Sequence, residues 1–214
     1  MNGGSQLADL ARLSQGPTPA AVDEMLLAQI AARAAPPDVP SAAFAEWLAG
    51  ATSPPPLGAT AAALDWPLLA AQCKELDPDV RLAAVITLVR GGGAAAAALV
   101  CPALRDLWCE VRRTAAAGLG LLGAEAAVPA LTMALGDPVP SVRVAAALAL
   151  GRIGTPPAIA ILLAAGKAYY WDVRAAAAYA LGEAGVAAAI PLLAAALHEP
   201  VAAVAQTAAV ALGR

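Results

Sequence analysis

The sequence is short of charge, of aromatic rings and of long uninterrupted apolar runs, and each shortage excludes something. Charged residues make up 14% of the 214 positions, aromatics 4%, and there is a single histidine. Lys and Arg together number 13 against 16 Asp and Glu, a net charge of −3. Binding to DNA draws on a basic field that displaces counterions. This balance supplies none, so nucleic acid is not an expected partner. One histidine and three cysteines (Cys73, Cys101 and Cys109) with no clustered Cys/His spacing leave no expected metal site, and no cofactor is expected. An odd number of cysteines without paired spacing fits reduced thiols in a cytoplasm. The mean hydropathy of +0.69 would suit a membrane protein. A spanning helix, however, needs roughly 18 consecutive apolar residues, and the runs here are cut by charge or proline. Ile153 to Gly166, for example, begins after Arg152 and holds Pro156 and Pro157. No membrane span is expected. Met1 to Leu13 carries Asp9 and Arg12 among scattered apolar residues and lacks the basic-then-apolar pattern of a signal peptide.

What the chain does have is alanine, nearly half of its 60% hydrophobic content, arranged in a repeat. Val-Arg occurs at Val80-Arg81, Val111-Arg112, Val142-Arg143 and Val173-Arg174, each step being 31 residues. A further step lands on Val204-Ala205, where the valine stays and the arginine is lost. Leu88, Leu119, Leu150, Leu181 and Leu212 form a second column in the same register. Gly92, Gly123, Gly154 and Gly185 form a third. Six residues before each arginine stand Glu75, Asp106, Asp137, Ala168 and, for the last unit, Glu199.

Each unit reads as two helices. In the unit at Ser141, Val142, Ala145, Ala146 and Ala149 recur at helical spacing and form an apolar face. Ser141 is the expected N-cap, with Asp79, Glu110 and Asp172 in the equivalent places. Gly154 is the expected stop, because glycine takes the left-handed conformation without steric cost. Pro156 and Pro157 open a second helix, where a missing N–H costs little, and it runs to about Gly166. Such hairpins bury their apolar faces only by stacking. The expected fold is therefore all-α, a right-handed α-solenoid of antiparallel helix pairs. Alanine suits it, since small side chains allow close helix approach and lose no rotamer entropy.

The string Asp-Pro-Val-Pro-Ser-Val-Arg-Val-Ala-Ala-Ala-Leu-Ala-Leu-Gly-Arg-Ile-Gly (Asp137 to Gly154) resembles a HEAT repeat of the short variety found in phycobilisome (PBS) lyases. The resemblance covers about residues 75 to 214. It implies that the acidic and arginine columns form a hydrogen-bonded ladder along the inter-repeat turns, assigning Glu75, Asp106, Asp137 and Glu199 to Arg81, Arg112, Arg143 and Arg174. The departures at Ala168 and Ala205 imply weaker rungs near the C-terminal end.

Residues 1–74 keep the helical style without the register. Thr18 to Ala34, Ser41 to Ala49 and Thr60 to Cys73 each read as a helix, with Pro54, Pro55 and Pro56 breaking the chain between the last two. The expected organisation is one continuous solenoid: an N-terminal helical cap over 1–40 with a disordered start, a degenerate repeat over 41–74, and regular repeats over 75–214. The regular repeats end in a half repeat whose open apolar end a second copy of the chain could cover.

No catalytic constellation stands out. Gly91-Gly92-Gly93 lacks the Lys-Ser/Thr that follows a phosphate loop. His198-Glu199 matches the iron-ligand pair of a HEAT-like hydroxylase family, but that chemistry needs several such pairs. Cys101 and Cys109 have no partner base in their columns. The candidate binding surface lies in the second helices. Three columns there are uncharged throughout: Ala98, Pro129, Ala160, Pro191; Cys101, Thr132, Leu163, Ala194; and Pro102, Met133, Ala164, Ala195. Outward-facing, they would form an apolar concave groove, with Cys101, Thr132, Met133 and Leu163 as its candidate contacts. A second candidate is the aromatic set Trp108, Tyr169, Tyr170 and Trp171 at two equivalent turns, since Tyr and Trp are favoured at binding hot spots. The family resemblance implies a structural role for Trp171. The expectation is a non-catalytic interaction scaffold that receives a helix or extended segment of another protein. The rival, a bilin lyase-like enzyme or lyase subunit, rests on the resemblance alone. DNA-base repair on such a scaffold would need a basic concavity.

Overall fold

The computed structural model describes residues 64–214, which fall within a unit running from Pro56 to Arg214. The expected helices Thr18 to Ala34 and Ser41 to Ala49, the 1–40 cap and most of the 41–74 repeat lie outside the described residues. Within them every regular element is helical. Helix α1 (Trp66–Gln72) leads in. It begins later than the sequence suggests. The Asp65 carboxylate accepts from the Leu68 N–H at 3.0 Å, and Pro67 occupies the first turn, so Asp65 caps a helix that starts at Trp66.

Helix pairs then follow. The first helices are α2 (Pro78–Gly91), α4 (Cys109–Leu121), α6 (Pro140–Ile153), α8 (Trp171–Glu183) and α10 (Ala202–Leu212). The second helices are α3 (Gly93–Val100), α5 (Val128–Ala134), α7 (Pro156–Ala165) and α9 (Ile190–Ala196). Short 3-10 turns at Cys101–Arg105, Glu125–Ala127 and Ala187–Ala189 join some of them. Consecutive first helices pack on one another; α3 and α7 pack on the first helices on both sides, and α5 and α9 chiefly on the first helix that follows. The architecture is an α-solenoid.

The helix starts keep the 31-residue period, but two residues earlier than expected. The N-caps are Asp77, Trp108, Val139, Tyr170 and Val201. Asp79, Glu110, Ser141 and Asp172 therefore sit inside the first turns and cap nothing. Pro140 is the reason at Ser141: a residue without an N–H is suited to the first helical position. The Gly154 stop is as expected, with φ of 64° and its N–H donating to the Leu150 carbonyl. Gly123 and Gly185 match it at 60° and 61°, a conformation that disfavours any side chain.

The core is the leucine and valine columns. Leu88, Leu119, Leu150 and Leu181 are fully buried, as are Val111, Val142, Val173 and Val204. Each such burial contributes about 1.5–3 kcal/mol. Between first helices the contact is closer than leucine permits. A Cβ placed on Gly151 would lie 2.7 Å from the Ala180 Cβ, and one on Gly182 would lie 2.5 Å from the Ala211 Cβ. Gly120 meets Ala149 in the same way, and Gly118 meets the Val89 side chain at 2.3 Å. Each interface thus carries one glycine in a pair whose members are 29 residues apart. In the first pair the order is inverted, with Val89 filling the space opposite Gly118.

Candidate functional site

The arginine column lies along the turns between units. The Arg81 Nε and Nη2 donate to the two carboxylate oxygens of Asp106 at 2.7 and 2.8 Å, while Nη1 donates to the Glu75 and Leu76 carbonyls. Arg112 does the same with Asp137 and with the Asp106 and Leu107 carbonyls. Each arginine therefore clamps its own turn through backbone oxygens and reaches the carboxylate of the following unit. The acidic position of its own unit offers only a carbonyl, and this is the whole contribution of Glu75 to the rung. Planar guanidinium matches carboxylate in this two-point geometry, which gives direction as well as energy.

The Asp106 and Asp137 carboxylates also accept the N–H of Trp108 and Val139. Burial by itself would raise their pKa values. The arginine hydrogen bonds, these backbone N–H groups and the neighbouring positive charges outweigh it, and both acids end below the usual carboxylate range. The paired arginines are held above theirs, chiefly by the same hydrogen bonds.

At Ala168 the sequence signals a lost rung, and the structure supplies another acid. Arg143 donates through Nε and Nη2 to Asp172 at 2.9 and 3.0 Å, while Nη1 keeps the Asp137 and Pro138 carbonyls. Asp172 stands four residues beyond the empty position, in the first turn of α8. Both partners are buried, with side chains about 7% exposed, and the Tyr170 ring covers the guanidinium at 3.9 Å. The expected weakening falls one unit later. Arg174 reaches Glu199 through Nη2 alone at 2.9 Å, and its buried Nε has no hydrogen-bond partner. The longer glutamate does not reproduce the two-point geometry. Past it, Arg214 pairs with Glu183 and lies over the Tyr179 ring.

The second-helix columns are accessible. Ala98, Pro129, Ala160 and Pro191 are exposed, as are Pro102, Met133, Ala164 and Ala195. Cys101, Thr132 and Leu163 are half-buried, and Ala194 is exposed. Met133, 70% exposed, is the largest apolar group in these columns. Cys101 and Pro102 are not in the α-helix: α3 ends at Val100, and both residues belong to the 3-10 turn that follows. The Thr132 hydroxyl donates to the Val128 carbonyl.

The aromatic residues stand on the turn edge. Tyr169 is 92% exposed, Trp108 and Trp171 about half. Tyr169 and Tyr170 make an edge-to-face pair at 5.4 Å. Two leucines missing from the sequence expectation join them, Leu76 and Leu107, both almost fully exposed. Their column partner is Tyr169, a 31-residue signal that inspection for aromatics alone passes over.

Nothing in the described residues assembles a nucleophile or a metal site. No group of three His, Cys, Asp or Glu side chains could hold an ion among them. His198 is exposed, and its neighbour Glu199 is bound to Arg174. The Cys109 thiol donates to Glu110 at 3.1 Å, and this bond and burial raise its pKa, while burial raises that of Cys73. Thiols so held are poor nucleophiles. No helix among the described residues is long and apolar enough to cross a membrane.

The HEAT-repeat family matches residues 100–179, and the PBS lyase HEAT-like repeat matches residues 173–199. This segment is a run of HEAT repeats. No curated protein sequence matches the chain. Among solved structures, the complex of CpcE and CpcF of phycocyanin lyase from Nostoc sp. PCC7120 aligns at 29% identity and a TM-score of 0.58, over 70% of this chain and 64% of that one. Human deoxyhypusine hydroxylase, solved with glycerol, aligns at 25% identity and a TM-score of 0.53, over 78% of this chain and 65% of that one. An engineered protein at 18% identity and a TM-score of 0.51, over 87% of this chain and 57% of that one, shares the fold alone. The chain thus spans just under two thirds of the length of the first two of these proteins.

Proposed function

We propose that this HEAT-repeat chain is a non-catalytic adaptor that receives a helix of a partner protein along its second helices. The observation that carries this reading is the second-helix face. Three successive columns over four units hold no charge and lie open or half open to water. Exposed apolar area of that continuity marks an interaction site, and a helix laid against such a face buries its own apolar stripe. Met133 and Leu163, one unit apart, are its most substantial apolar contacts. The neighbour from Nostoc was itself solved as a complex of two chains, which supports a protein partner.

The test is a double variant, Met133→Lys with Leu163→Lys. Both sites are at least partly open, so helicity by circular dichroism is expected to stay unchanged. Affinity capture from the native host, read by mass spectrometry, should then lose the proteins that the unmodified chain retains. Identical capture by both would refute this face as the binding surface. A new visible absorption band on mixing the chain with a bilin would replace the adaptor reading with the lyase-like one.

A further inference from the structure

A column outside the uncharged face gives the turn edge a chemistry of its own. The position just before the acidic column, which holds Ala168 in the fourth unit, is Lys74, Arg105, Gly136, Lys167 and His198, again at steps of 31 residues. Four of these five are basic in a chain with more acids than bases, and all five are exposed. Beside Arg105 and His198, the Asp106 and Glu199 carboxylates are already bound to ladder arginines, and Lys167 stands beside Ala168. Arg105, Lys167 and His198 form no ion pair among the described residues. Two positions further on runs an apolar column, Leu76, Leu107, Pro138, Tyr169 and Pro200, likewise exposed at every position. The two leucines and Tyr169 are each more than 90% exposed, and Trp108 and Tyr170 flank them. Toward Leu76 the field changes sign, because Glu75, Asp77 and Asp79 are exposed there. The basic stretch is therefore the line of turns from Arg105 to Pro200.

We propose that this line of turns is a second docking surface, for an extended acidic segment of a partner protein that carries apolar residues between its carboxylates. The charge argument selects the occupant: the exposed bases of this line have no unpaired acid beside them and stand next to Leu107, Pro138, Tyr169 and Pro200. Spacing supports an extended chain. Packed helices stand about 8–10 Å apart, and an extended polyproline II chain rises about 3.1 Å per residue with three residues per turn, so that every third side chain falls on one face. One acid roughly every three residues would keep step with the units, and about ten residues would cover the line. Single-stranded nucleic acid also joins negative charge to flat rings, but the chain's net charge of −3 and the leucine and proline rows favour a peptide.

The experiment uses a fluorescein-labelled peptide of about ten residues with glutamate at every third position and proline or leucine between, to favour the polyproline II conformation. Its controls are the same peptide with lysine for glutamate and an oligothymidylate of equal charge. Anisotropy should show the glutamate peptide binding to the full chain, weakening as salt rises, with no binding of the lysine peptide. The variant Arg105→Glu with Lys167→Glu should weaken binding roughly tenfold or more, since it turns two attractions into repulsions. Arg152→Glu, an exposed reversal in the last turn of α6, should leave it unchanged and so separates the turn line from net charge. Absence of glutamate-peptide binding, equal binding by the Arg105/Lys167 variant, or tighter binding of the oligothymidylate would each overturn the proposal.

Discussion

Replacing Gly151 by alanine sets two well-measured effects against each other. Gly151 lies inside α6, and alanine is the better helix former there by about 1 kcal/mol. In an isolated helix the substitution would stabilise. Here the new methyl would lie 2.7 Å from the Ala180 Cβ and 3.3 Å from its Cα. Alanine has no rotamer to turn away, so relief requires α8 to move off α6. Overpacking of this kind costs about 1–3 kcal/mol, and a contact on rigid helix belongs toward the upper end. The net loss should be about 1–2 kcal/mol, which for a chain of this size lowers Tm by about 2–8 °C. Thermal melts followed by helical circular dichroism read it directly. The second variant makes the reasoning decisive. Gly151→Ala with Ala180→Gly exchanges the members of the pair, cancels the propensity terms and leaves 3.3 Å as the tightest contact. It should recover to within about 0.5 kcal/mol of the original chain, which is the error expected of additive terms. A rise in Tm for the single variant, or no recovery in the double, would show that the glycine column is not there for close approach.

Two further outcomes follow from the ladder. Asp172→Ala leaves the buried Arg143 guanidinium without its carboxylate and should cost about 3–5 kcal/mol, read as a drop in urea midpoint. A smaller loss from Glu199→Ala is expected, because that rung is one-point and more open. Acid should unfold the chain through Asp106 and Asp137. Their folded pKa values lie below the unfolded value near 3.9, so their contribution is complete above about pH 4 and is lost as pH falls through the depressed folded values. A stability profile that falls below about pH 4, and flattens in Asp106→Asn with Asp137→Asn, is the expected result; a flat profile in the original chain would contradict the pairing.

The period was legible because a repeated fold needs the same side chain at the same place in every unit. Val142, Leu150 and Gly154 recur for reasons of core and turn that act within one hairpin. The ladder was legible as two columns, but its wiring was not. Arg81 lies six residues from Glu75 and 25 from Asp106, and only the stacking of units shows that the carboxylate comes from the farther one. Asp172 could not be read as a rung, since it stands out of column and looks like a helix cap. The second-helix face was legible as an absence of charge, while its accessibility needed coordinates. The basic column at Arg105, Lys167 and His198 was present in the letters all along. Arg105 and His198 each stand next to an acid, and whether that acid is free is a tertiary question.

Composition and spacing by themselves determined that residues 75–214 are helical, repeated every 31 residues and built for close packing by small side chains. Those are local matters of propensity, turn chemistry and hydrophobic period. Tertiary structure decided which charges are spent and which remain. Stacking brings each arginine against the next unit's acid, removes both from the electrostatic balance, and leaves the bases of the turn line and the uncharged columns of the second helices open to water.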